Sequence, residues 1–336
     1  MKEAMFYSKQ ADGSVICSLC RFRCHIAEGR RGHCHVRENR DGKLFSLSYG
    51  RLVAEHVDPI EKKPLFHVMP GSKSFSIATM GCNFRCRQCQ NYNISQLQDN
   101  TPVQGIQRSA DDIVAAALHT GCSSISYTYT EPTVFYEFAL DTARKAKEKE
   151  LRNIFVTNGY ITKEALNHIA PFLDAANIDL KGYSEEFYHG IIGAKLGEVL
   201  DSIITYRQLG IWIELTTLII PGLNDSDDHL HGIAEFIAAN LGKEVPWHVS
   251  QFYPTYQLLD RPRTPLTTLR KAVEIGKTAG LQYIYEGNVP GEGGENTWCP
   301  QCSELLIKRH GYTIQQNHMH HGACPQCGHN IPGISL

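Results

Sequence analysis

Hydrophobic and polar positions alternate in two patterns through the middle of the chain. Short, β-rich apolar runs alternate with stretches in which apolar residues recur at helical spacing. The runs are SFSIATMG, SISYTYT, NIFVTNG, DAANIDLKG, IWIELTTLIIPG, PWHVSQFYP and LQYIYEG. Strands that alternate with helices form βαβ units and parallel sheets. We therefore predict an α/β fold with a partial (β/α)6-type TIM barrel at its centre, and an open doubly wound sheet is the alternative.

Several helices have end signals of their own. Ser109 stands three residues before Asp112, as in a capping box, and Gly121 is placed to end that helix. A later segment, SDDHLHGIAEFIAANLG, has acids in its first turn and Gly242 at its end, which predicts a left-handed glycine cap. These patterns indicate helices that pack on a core.

Composition divides the chain into three parts. Residues 1–73 form a cysteine-rich N-terminal segment with little apolar periodicity. Residues 74–292 contain the alternating strands and helices, and residues 293–336 form a polar, cysteine-containing C-terminal segment. Neither terminal segment has enough apolar sequence for a large core of its own.

Charge and hydropathy narrow the range of partners. The 336 residues have a formal net charge of -2, so no basic field favours nucleic acid or an anionic membrane. No apolar run reaches the length of a membrane-spanning helix, and the N-terminus lacks the pattern of a secretory signal. We therefore expect a cytoplasmic protein without membrane or nucleic-acid partners.

Eleven of the twelve cysteines fall in three clusters, which in a reducing compartment indicates metal ligation. The twelfth, Cys122, is expected to be a small buried residue. The C-terminal cluster consists of two Cys-x-x-Cys pairs, which suit a tetrahedral structural zinc ion. Rubredoxin-like iron is the minor alternative, and the histidines of NHMHHG are expected to face solvent. Its ligands are Cys299, Cys302, Cys324 and Cys327.

The N-terminal cluster offers four thiols with three histidines nearby. Its spacings of two, three and nine intervening residues fit zinc less neatly than the C-terminal pairs do. An iron-sulfur cluster is the other possibility, so the sequence predicts a metal and leaves its identity open. The four residues are Cys17, Cys20, Cys24 and Cys34.

The middle cluster has only three cysteines, Cys82, Cys86 and Cys89, directly after the first predicted barrel strand. Barrel active sites lie at this end of the strands. Three protein ligands leave one coordination position free, as in catalytic zinc sites. A set made only of cysteines at this spacing favours an iron-sulfur cluster instead.

The loop GCNFRCRQC resembles the Cys-x-x-x-Cys-x-x-Cys loop of radical S-adenosylmethionine (SAM) enzymes. The resemblance implies a [4Fe-4S] cluster on the three thiolates, with SAM on the fourth iron. One departure is Gln88, because the residue before the last cysteine is commonly aromatic in that superfamily and packs near adenine. Phe84 or Tyr92 could take its place there.

The chain further resembles the radical enzymes of the AmmeMemoRadiSam system, relatives of pyruvate formate-lyase activating enzymes. Matching stretches include DPIEKKPLFHVMPGS, YTYTEPT, FVTNGY, IDLKGY, ELTTLIIPGLND and GNVPGEGGENTWCPQC, within roughly residues 15–315. By this resemblance the SAM contacts lie at the ends of the second, third and fourth strands. The residues so assigned are Thr130, Glu131, Thr157, Asn158, Asp179 and Lys181.

The resemblance also suggests what each contact does. Glu131 would accept from the methionyl amino group, and Lys181 would pair with the methionyl carboxylate. The alternative for each is a strand-end residue that is solvated or paired locally. The activating enzymes have a histidine near the cofactor at the end of the sixth strand, where this chain has Tyr253, and His248 is interpreted as structural.

The resemblance implies reductive cleavage of SAM to a 5′-deoxyadenosyl radical, which removes hydrogen from a substrate that the sequence does not identify. The alternative is an activase of a glycyl radical enzyme, although the chain lacks the ferredoxin-like insertion of many activases. A non-catalytic metal-binding protein is a third hypothesis. Expected partners are a one-electron reductant and, by the system's name, Memo-type and AMMECR-type proteins.

Overall fold

The computed structural model describes every residue, Met1–Leu336. The strands are β1 (Lys2–Glu3), β2 (Tyr7–Lys9), β3 (Val15–Cys17), β4 (His25–Ile26), β5 (Arg37–Arg40), β6 (Lys43–Ser46), β7 (Arg51–Pro59), β8 (Lys73–Thr79), β9 (Ile106–Gln107), β10 (Ser124–Tyr127), β11 (Arg152–Thr157), β12 (Ala175–Asp179), β13 (Trp212–Ile219), β14 (Trp247–Gln251), β15 (Ile284–Gly287), β16 (Thr297–Trp298), β17 (Leu305–His310) and β18 (Thr313–Asn317). The α-helices are α1 (Tyr92–Ser95), α2 (Ala110–His119), α3 (Tyr136–Glu148), α4 (Lys163–Ile169), α5 (Glu185–Phe187), α6 (Leu196–Gln208), α7 (Asp227–Phe236) and α8 (Leu266–Thr278).

The chain divides into two compact units, each made of three segments. The first unit comprises Met1–Asp58, Lys73–Ala176 and Gly197–Ile211. Its centre is a parallel arrangement in which β10 lies between β8 and β11. The first unit also contains two small antiparallel sheets, in the orders β1-β6-β5 and β2-β3-β4.

Helix α2 of the first unit begins and ends where the sequence indicates. At the start of α2, the Ser109 hydroxyl accepts from the Asp112 amide, and the Asp112 carboxylate accepts from the Ser109 amide. This is the predicted capping box. Gly121 follows the helix with φ +67°, a left-handed conformation that favours glycine.

The second unit comprises Pro59–Ser72, Asn177–Leu196 and Trp212–Leu336. Strands β13, β14 and β15 pair in parallel in that order. Strands β16, β17 and β18 form an antiparallel ribbon near the C-terminus. The ribbon contributes Leu306 and Ile307 to a buried cluster that also contains Phe66 and Tyr285.

One helix end in the second unit differs from its prediction. Helix α7 continues as a π-helical turn over Ile237–Leu241 before the chain reaches Gly242. Gly242 has φ +114° and ψ +145°, which is outside the left-handed helical region of an αL cap. The predicted type of cap is therefore wrong, although Gly242 does end the helical segment as predicted.

All seven predicted strands are present and in order, as β8, β10, β11, β12, β13, β14 and β15. The prediction of an α/β fold with parallel strands is therefore confirmed. Closure into a barrel and the three predicted domain boundaries stay predictions. None of the helices has the length and hydropathy needed to cross a membrane.

Candidate functional site

The three-cysteine loop begins directly after β8, whose buried residues end at Thr79. The backbone folds tightly around the thiols: the Phe84 amide donates to Cys82 Sγ at 3.3 Å. Cys89 Sγ lies 3.1 Å from Ser95 Oγ, on the short helix α1 that follows. Amide and hydroxyl donors of this kind stabilise thiolate sulfur, so the loop is built to hold ligated cysteines.

Gly81 permits the loop to leave the strand. Its φ is +101°, and a Cβ built on it would lie 2.6 Å from Val36 Cγ1 and 3.1 Å from the Cys34 carbonyl oxygen. A residue with a side chain would therefore be strained and would also press on the N-terminal segment.

Glu131 connects the ends of two neighbouring strands. Its Oε1 accepts from the Thr133 amide at 3.0 Å, the Thr133 hydroxyl at 2.6 Å and the Thr157 hydroxyl at 2.8 Å. Its Oε2 accepts from the Asn158 amide at 2.8 Å. A carboxylate has about four lone-pair sites, so these bonds use most of its capacity. In this structure Glu131 positions Thr157 and Asn158.

Asn158 joins this connection to the cysteine loop. Its Nδ2 donates to Asn83 Oδ1 at 2.7 Å and lies 3.8 Å from Cys82 Sγ. Its Oδ1 accepts from the Tyr160 amide at 3.0 Å, which fixes the side chain. The predicted residues Cys82, Glu131, Thr157 and Asn158 thus lie in one hydrogen-bonded set.

Hydrogen bonds also join the turn after β10 to the cysteine loop and to the end of β8. Tyr129 has φ +61°, which is unusual for a residue with a side chain. Its carbonyl accepts from Asn91 Nδ2 at 2.8 Å, and the neighbouring Thr130 hydroxyl donates to the Thr79 carbonyl at 2.8 Å. Thr130 therefore faces the strand end, where it holds the turn in place. Strained backbone that several bonds maintain is common at functional sites.

Burial sets the protonation state of this region. It raises the pKa of the Cys82 thiol well above its usual range, and the negative charge of Glu131 raises it further. Without a metal the thiol would keep its proton, since the buried thiolate has no cation to compensate it. Burial also raises the pKa of Glu131, although its four donors oppose the change.

Asp179 and Lys181 belong to the second unit. Lys181 Nζ donates to Asp179 Oδ2 at 3.0 Å, so the two side chains share one side of the strand end as predicted from their spacing. The Lys181 carbonyl accepts from Asn224 Nδ2 at 2.6 Å, and its amide donates to the Tyr188 hydroxyl at 3.1 Å. Their role as SAM contacts stays a prediction.

The two residues considered at the sixth strand have different surroundings. His248 Nε2 lies 2.7 Å from Glu214 Oε2, and both side chains are buried. Glu214 also accepts from the amides of Phe66 and His67 at 2.9 and 2.8 Å, so His248 is part of an internal network. Tyr253 follows β14 and is exposed, with Arg263 over its ring at 4.8 Å.

Three side chains near the cysteines had no role assigned from sequence. Asn83 and Asn91 make the bonds described above, and their adjacency to the cysteine motif was the only available signal. Gln88 is buried, and its Oε1 has no hydrogen-bond partner; the same is true of Asn83 Nδ2. Unpaired buried polar atoms are costly, so their presence in the loop is consistent with a bound polar group.

The C-terminal cysteines converge on one point. The four sulfurs of Cys299, Cys302, Cys324 and Cys327 all lie within 4.8 Å of one another. The two knuckles have matching backbones: the Ser303 amide donates to the Cys299 carbonyl, and the Gly328 amide donates to the Cys324 carbonyl, each at 2.9 Å. Four thiols at this separation suit one tetrahedral ion.

The N-terminal cysteines also come together, in the first unit. Cys17 ends β3, and its amide donates to the Cys24 carbonyl at 2.9 Å across the β3–β4 pair. Cys17, Cys20, Cys24 and Cys34 line one cavity. Burial raises the pKa of the Cys34 thiol to about 11, so as a free thiol it would stay protonated.

The residues after β8 fit an iron-sulfur cluster. Three cysteines stand in one short loop with donors aimed at two of their sulfurs, and the loop has unpaired buried amide atoms. Thiolates are the ligands that such clusters take from proteins. If the group binds, Cys82, Cys86 and Cys89 would hold it, next to Asn158 and Glu131.

Comparison with known proteins places this site in a family. The sequence profile of the Radical SAM superfamily matches residues 76–237, which contain the cysteine loop, Glu131 and Asn158. The uncharacterized protein MJ0808 of Methanocaldococcus jannaschii is 46% identical over 98% of this chain and 99% of its own length. The chain belongs to the radical SAM superfamily.

Within the superfamily, the chain is related to activating enzymes. The pyruvate formate-lyase 1-activating enzyme of Escherichia coli strain K12 is 22% identical over 46% of this chain and 65% of its own length. The crystal structure of a radical SAM methyltransferase from Sphaerobacter thermophilus has a TM-score of 0.52 and 15% identity, over 70% of this chain and 71% of that one. At this identity the structural likeness shows the fold.

Proposed function

We propose that the protein is a radical SAM enzyme that cleaves SAM reductively and removes a hydrogen atom from a substrate. The observation that carries the proposal is the hydrogen-bonded set that joins the three-cysteine loop to Glu131 and Asn158. A loop with a purely structural role would not need hydrogen bonds to the ends of two further strands. Superfamily membership supports the same conclusion.

The cluster and SAM, when bound, supply one-electron cleavage of the sulfonium to methionine and a 5′-deoxyadenosyl radical. The three cysteines would hold the cluster, and Asn158 Nδ2 lies near enough to Cys82 Sγ to act as a donor to it. Glu131 keeps Asn158 in that position through the backbone amide. Because Glu131 is buried, water is excluded from its hydrogen bonds, and these bonds are stronger for that reason.

The SAM contacts are part of the same proposal. Thr157 ends β11 and Asn158 follows it, and by the resemblance both would exchange some of their internal bonds for bonds to the ribose or the methionyl carboxylate. Thr130 and Glu131 would act by holding the turn, since their side chains already bond within the protein. Asp179 and Lys181 would bind the charged methionyl groups, as the resemblance implies.

Anaerobic turnover tests the proposal. The full chain is reconstituted with iron and sulfide, reduced with dithionite and mixed with SAM, and 5′-deoxyadenosine and methionine are measured. We expect both products from the wild type and none above background from Cys86→Ala. Cys122→Ala is the matched control, because Cys122 is also buried but stands outside the three clusters. A Cys86→Ala variant as active as the wild type would refute the proposal.

A second candidate is activation of a glycyl radical enzyme. Two similar proteins are named activating enzymes: the pyruvate formate-lyase 1-activating enzyme of Escherichia coli, and a putative glycyl-radical enzyme activating enzyme of Methanocaldococcus jannaschii. The test uses macromolecular and small-molecule fractions from cells grown on α-deuterated glycine. Deuterium transferred to 5′-deoxyadenosine from the macromolecular fraction supports the activase, and transfer from the small-molecule fraction alone opposes it.

Zinc in the C-terminal ribbon is also a proposal. The four sulfurs lie close enough together for one ion, and Cys299 and Cys324 belong to the buried cluster of the second unit. The ion would therefore stabilise the ribbon. A one-electron reductant and Memo-type or AMMECR-type partner proteins stay predictions.

A further inference from the structure

The four N-terminal cysteines lie in the wall of one small cavity. Cys17, Cys20, Cys24 and Cys34 line a cavity of about 10 Å³, room for about one water molecule. The C-terminal sulfurs, in contrast, lie close together. Cys299 Sγ is 3.6 Å from Cys327 Sγ, and Cys302 Sγ is 3.6 Å from Cys324 Sγ. The four N-terminal sulfurs do not form a group in which all members lie within 4.8 Å of one another, as the C-terminal sulfurs do.

This spacing does not suit a single ion. Four sulfurs bound to one tetrahedral zinc ion at about 2.3 Å lie roughly 3.8 Å from one another, which is closer than the N-terminal sulfurs come as a set. A [2Fe-2S] cluster would also need close sulfurs, because each of its irons takes two thiolates. In a [4Fe-4S] cluster each iron takes one thiolate, so the four sulfurs stay apart around a central group.

Water is a poor occupant of this cavity. Its wall is made mainly of carbon and sulfur, with side chains such as Leu19, Ile26 and Val134. A buried water needs about two to four polar partners, and thiols are weak ones. The cavity therefore calls for a group that bonds to sulfur.

Arg37 is the second observation that points to a ligand. Arg37 belongs to the lining of the cavity and is 2% exposed, and its terminal nitrogens donate to Glu137 Oε1 at 2.9 Å and to the Met5 carbonyl at 2.6 Å. Its Nε has no hydrogen-bond partner. A thiolate or sulfide in the cavity would supply the missing acceptor and a negative charge beside the cation.

We propose that Cys17, Cys20, Cys24 and Cys34 bind a second iron-sulfur cluster of the [4Fe-4S] type. With one thiolate on each iron, this cluster has no open position for SAM. It is therefore distinct from the cluster of the proposed function, and its presence does not depend on that function.

The second cluster would lie in a segment that packs against the first loop. The close approach of Gly81 to Val36 and Cys34 has been described above, and the Arg85 guanidinium donates to the His33 carbonyl. Phe22 stacks on His33 with ring centroids 4.3 Å apart. The chain would thus have two redox centres in neighbouring parts of the first unit.

Metal analysis of the full-length protein tests the proposal. The wild type is purified without oxygen and reconstituted with iron and sulfide. We expect about eight iron and eight sulfide per chain, and a single zinc from the ribbon. The double variant Cys20→Ser/Cys34→Ser should lose about half of the iron and sulfide and keep its zinc. Cys122→Ser, the matched control, should lose none.

Spectroscopy shows whether the variant is folded. Addition of SAM should still change the electron paramagnetic resonance signal of the reduced cluster that remains in the double variant. Cys86→Ala should show the reverse pattern, with half of the iron kept and no response to SAM. A wild type with about four iron and two zinc per chain would overturn the proposal, and so would a double variant with unchanged iron content. The wild-type count decides even if the variant does not fold, and it does not depend on SAM cleavage.

Discussion

Gln88 is the residue of the cysteine loop that the family pattern does not explain. It stands where an aromatic side chain is common, and the structure buries it with an unpaired Oε1. Burial of an unpaired acceptor costs roughly 1–3 kcal/mol, so the side chain reduces stability until a donor binds. The exocyclic amino group of adenine is a donor of the right kind for the position that the resemblance assigns.

We predict that Gln88→Leu raises stability and weakens SAM binding. Leucine removes the unpaired acceptor, so the midpoint of urea unfolding without SAM should rise. The SAM dissociation constant of the reconstituted protein should rise about fivefold to tenfold, the equivalent of one hydrogen bond. Equilibrium binding by calorimetry measures this change without turnover.

The control is Gln90→Leu, two residues away and exposed. It should leave both quantities unchanged. Unchanged SAM affinity in Gln88→Leu would show that the amide does not contact the cofactor. Loss of iron from Gln88→Leu would instead show that the Gln88 side chain supports cluster binding.

At the scale of elements, the C-terminal ribbon shows how a small piece of sheet is stabilised. Strands β16 to β18 are short, and Leu306 and Ile307 of β17 join the cluster around Phe66 and Tyr285, with Ile314 of β18 packed against it. The knuckle residues Cys299 and Cys324 are buried in it. Ligation at these positions would therefore stabilise the packing of the second unit as well as the ribbon.

We predict that Cys324→Ser removes zinc and lowers the midpoint of thermal unfolding by on the order of 10 °C. The reason is that the ribbon has too little apolar surface to keep its fold without the ion. Differential scanning fluorimetry with zinc analysis measures both effects. Cys122→Ser is the control, because it removes a buried thiol outside the metal clusters. Loss of zinc without a lower midpoint would mean that the ribbon holds its fold by packing alone.

A buried histidine supports the segment before β8. His67 Nδ1 lies 2.7 Å from the Pro332 carbonyl oxygen, which can only accept, so this nitrogen carries the proton. Its Nε2 lies 2.7 Å from the Tyr285 hydroxyl, which then donates. Burial lowers the pKa of His67 to about 4, although Glu214 nearby acts in the opposite direction.

The folded protein should therefore lose stability in mild acid. The unfolded chain takes up the proton near the usual pKa of about 6.5, and the folded chain does so only near pH 4, so stability falls as the pH drops between these values. The full difference is on the order of 3 kcal/mol. Urea unfolding at pH 7 and pH 5 should show a smaller acid-induced loss for His67→Gln than for wild type. The exposed His119→Gln is the control, and an equal loss in all three proteins would exclude this origin.

Features that depend on local spacing could be read from the sequence. The cysteine loop and the capping box at Ser109 lie within a few residues, so their chemistry is visible in one stretch. The bond from Asn158 to Asn83 joins residues 75 apart, and asparagine next to a cysteine has no distinctive pattern. The internal bonds of Glu131 were also invisible, because a strand-end carboxylate looks the same in sequence whether it faces a cofactor or its neighbours.

At the scale of the whole molecule, the first unit contains three segments that the hydrogen bonds join into one set. They are the cysteine loop, the turn after β10 and the end of β11. Asn91 bonds the loop to the turn through the Tyr129 carbonyl, and Glu131 bonds the turn to the Asn158 amide. A ligand that orders one segment should therefore order all three, because each supplies a partner to the next.

We predict that SAM slows amide hydrogen exchange in all three segments of the reconstituted protein. The peptides to follow cover Cys82–Cys89, Tyr129–Glu131 and Thr157–Asn158. The C-terminal ribbon, which has its own metal site, should not change, and Cys86→Ala treated with SAM is the control for binding at the cluster. Protection confined to the cysteine loop would show that the connected set does not respond as a unit. Protection of a peptide with Asp179 and Lys181 would support their assignment as SAM contacts, since a ligand bound to their side chains would oppose local opening of the backbone there.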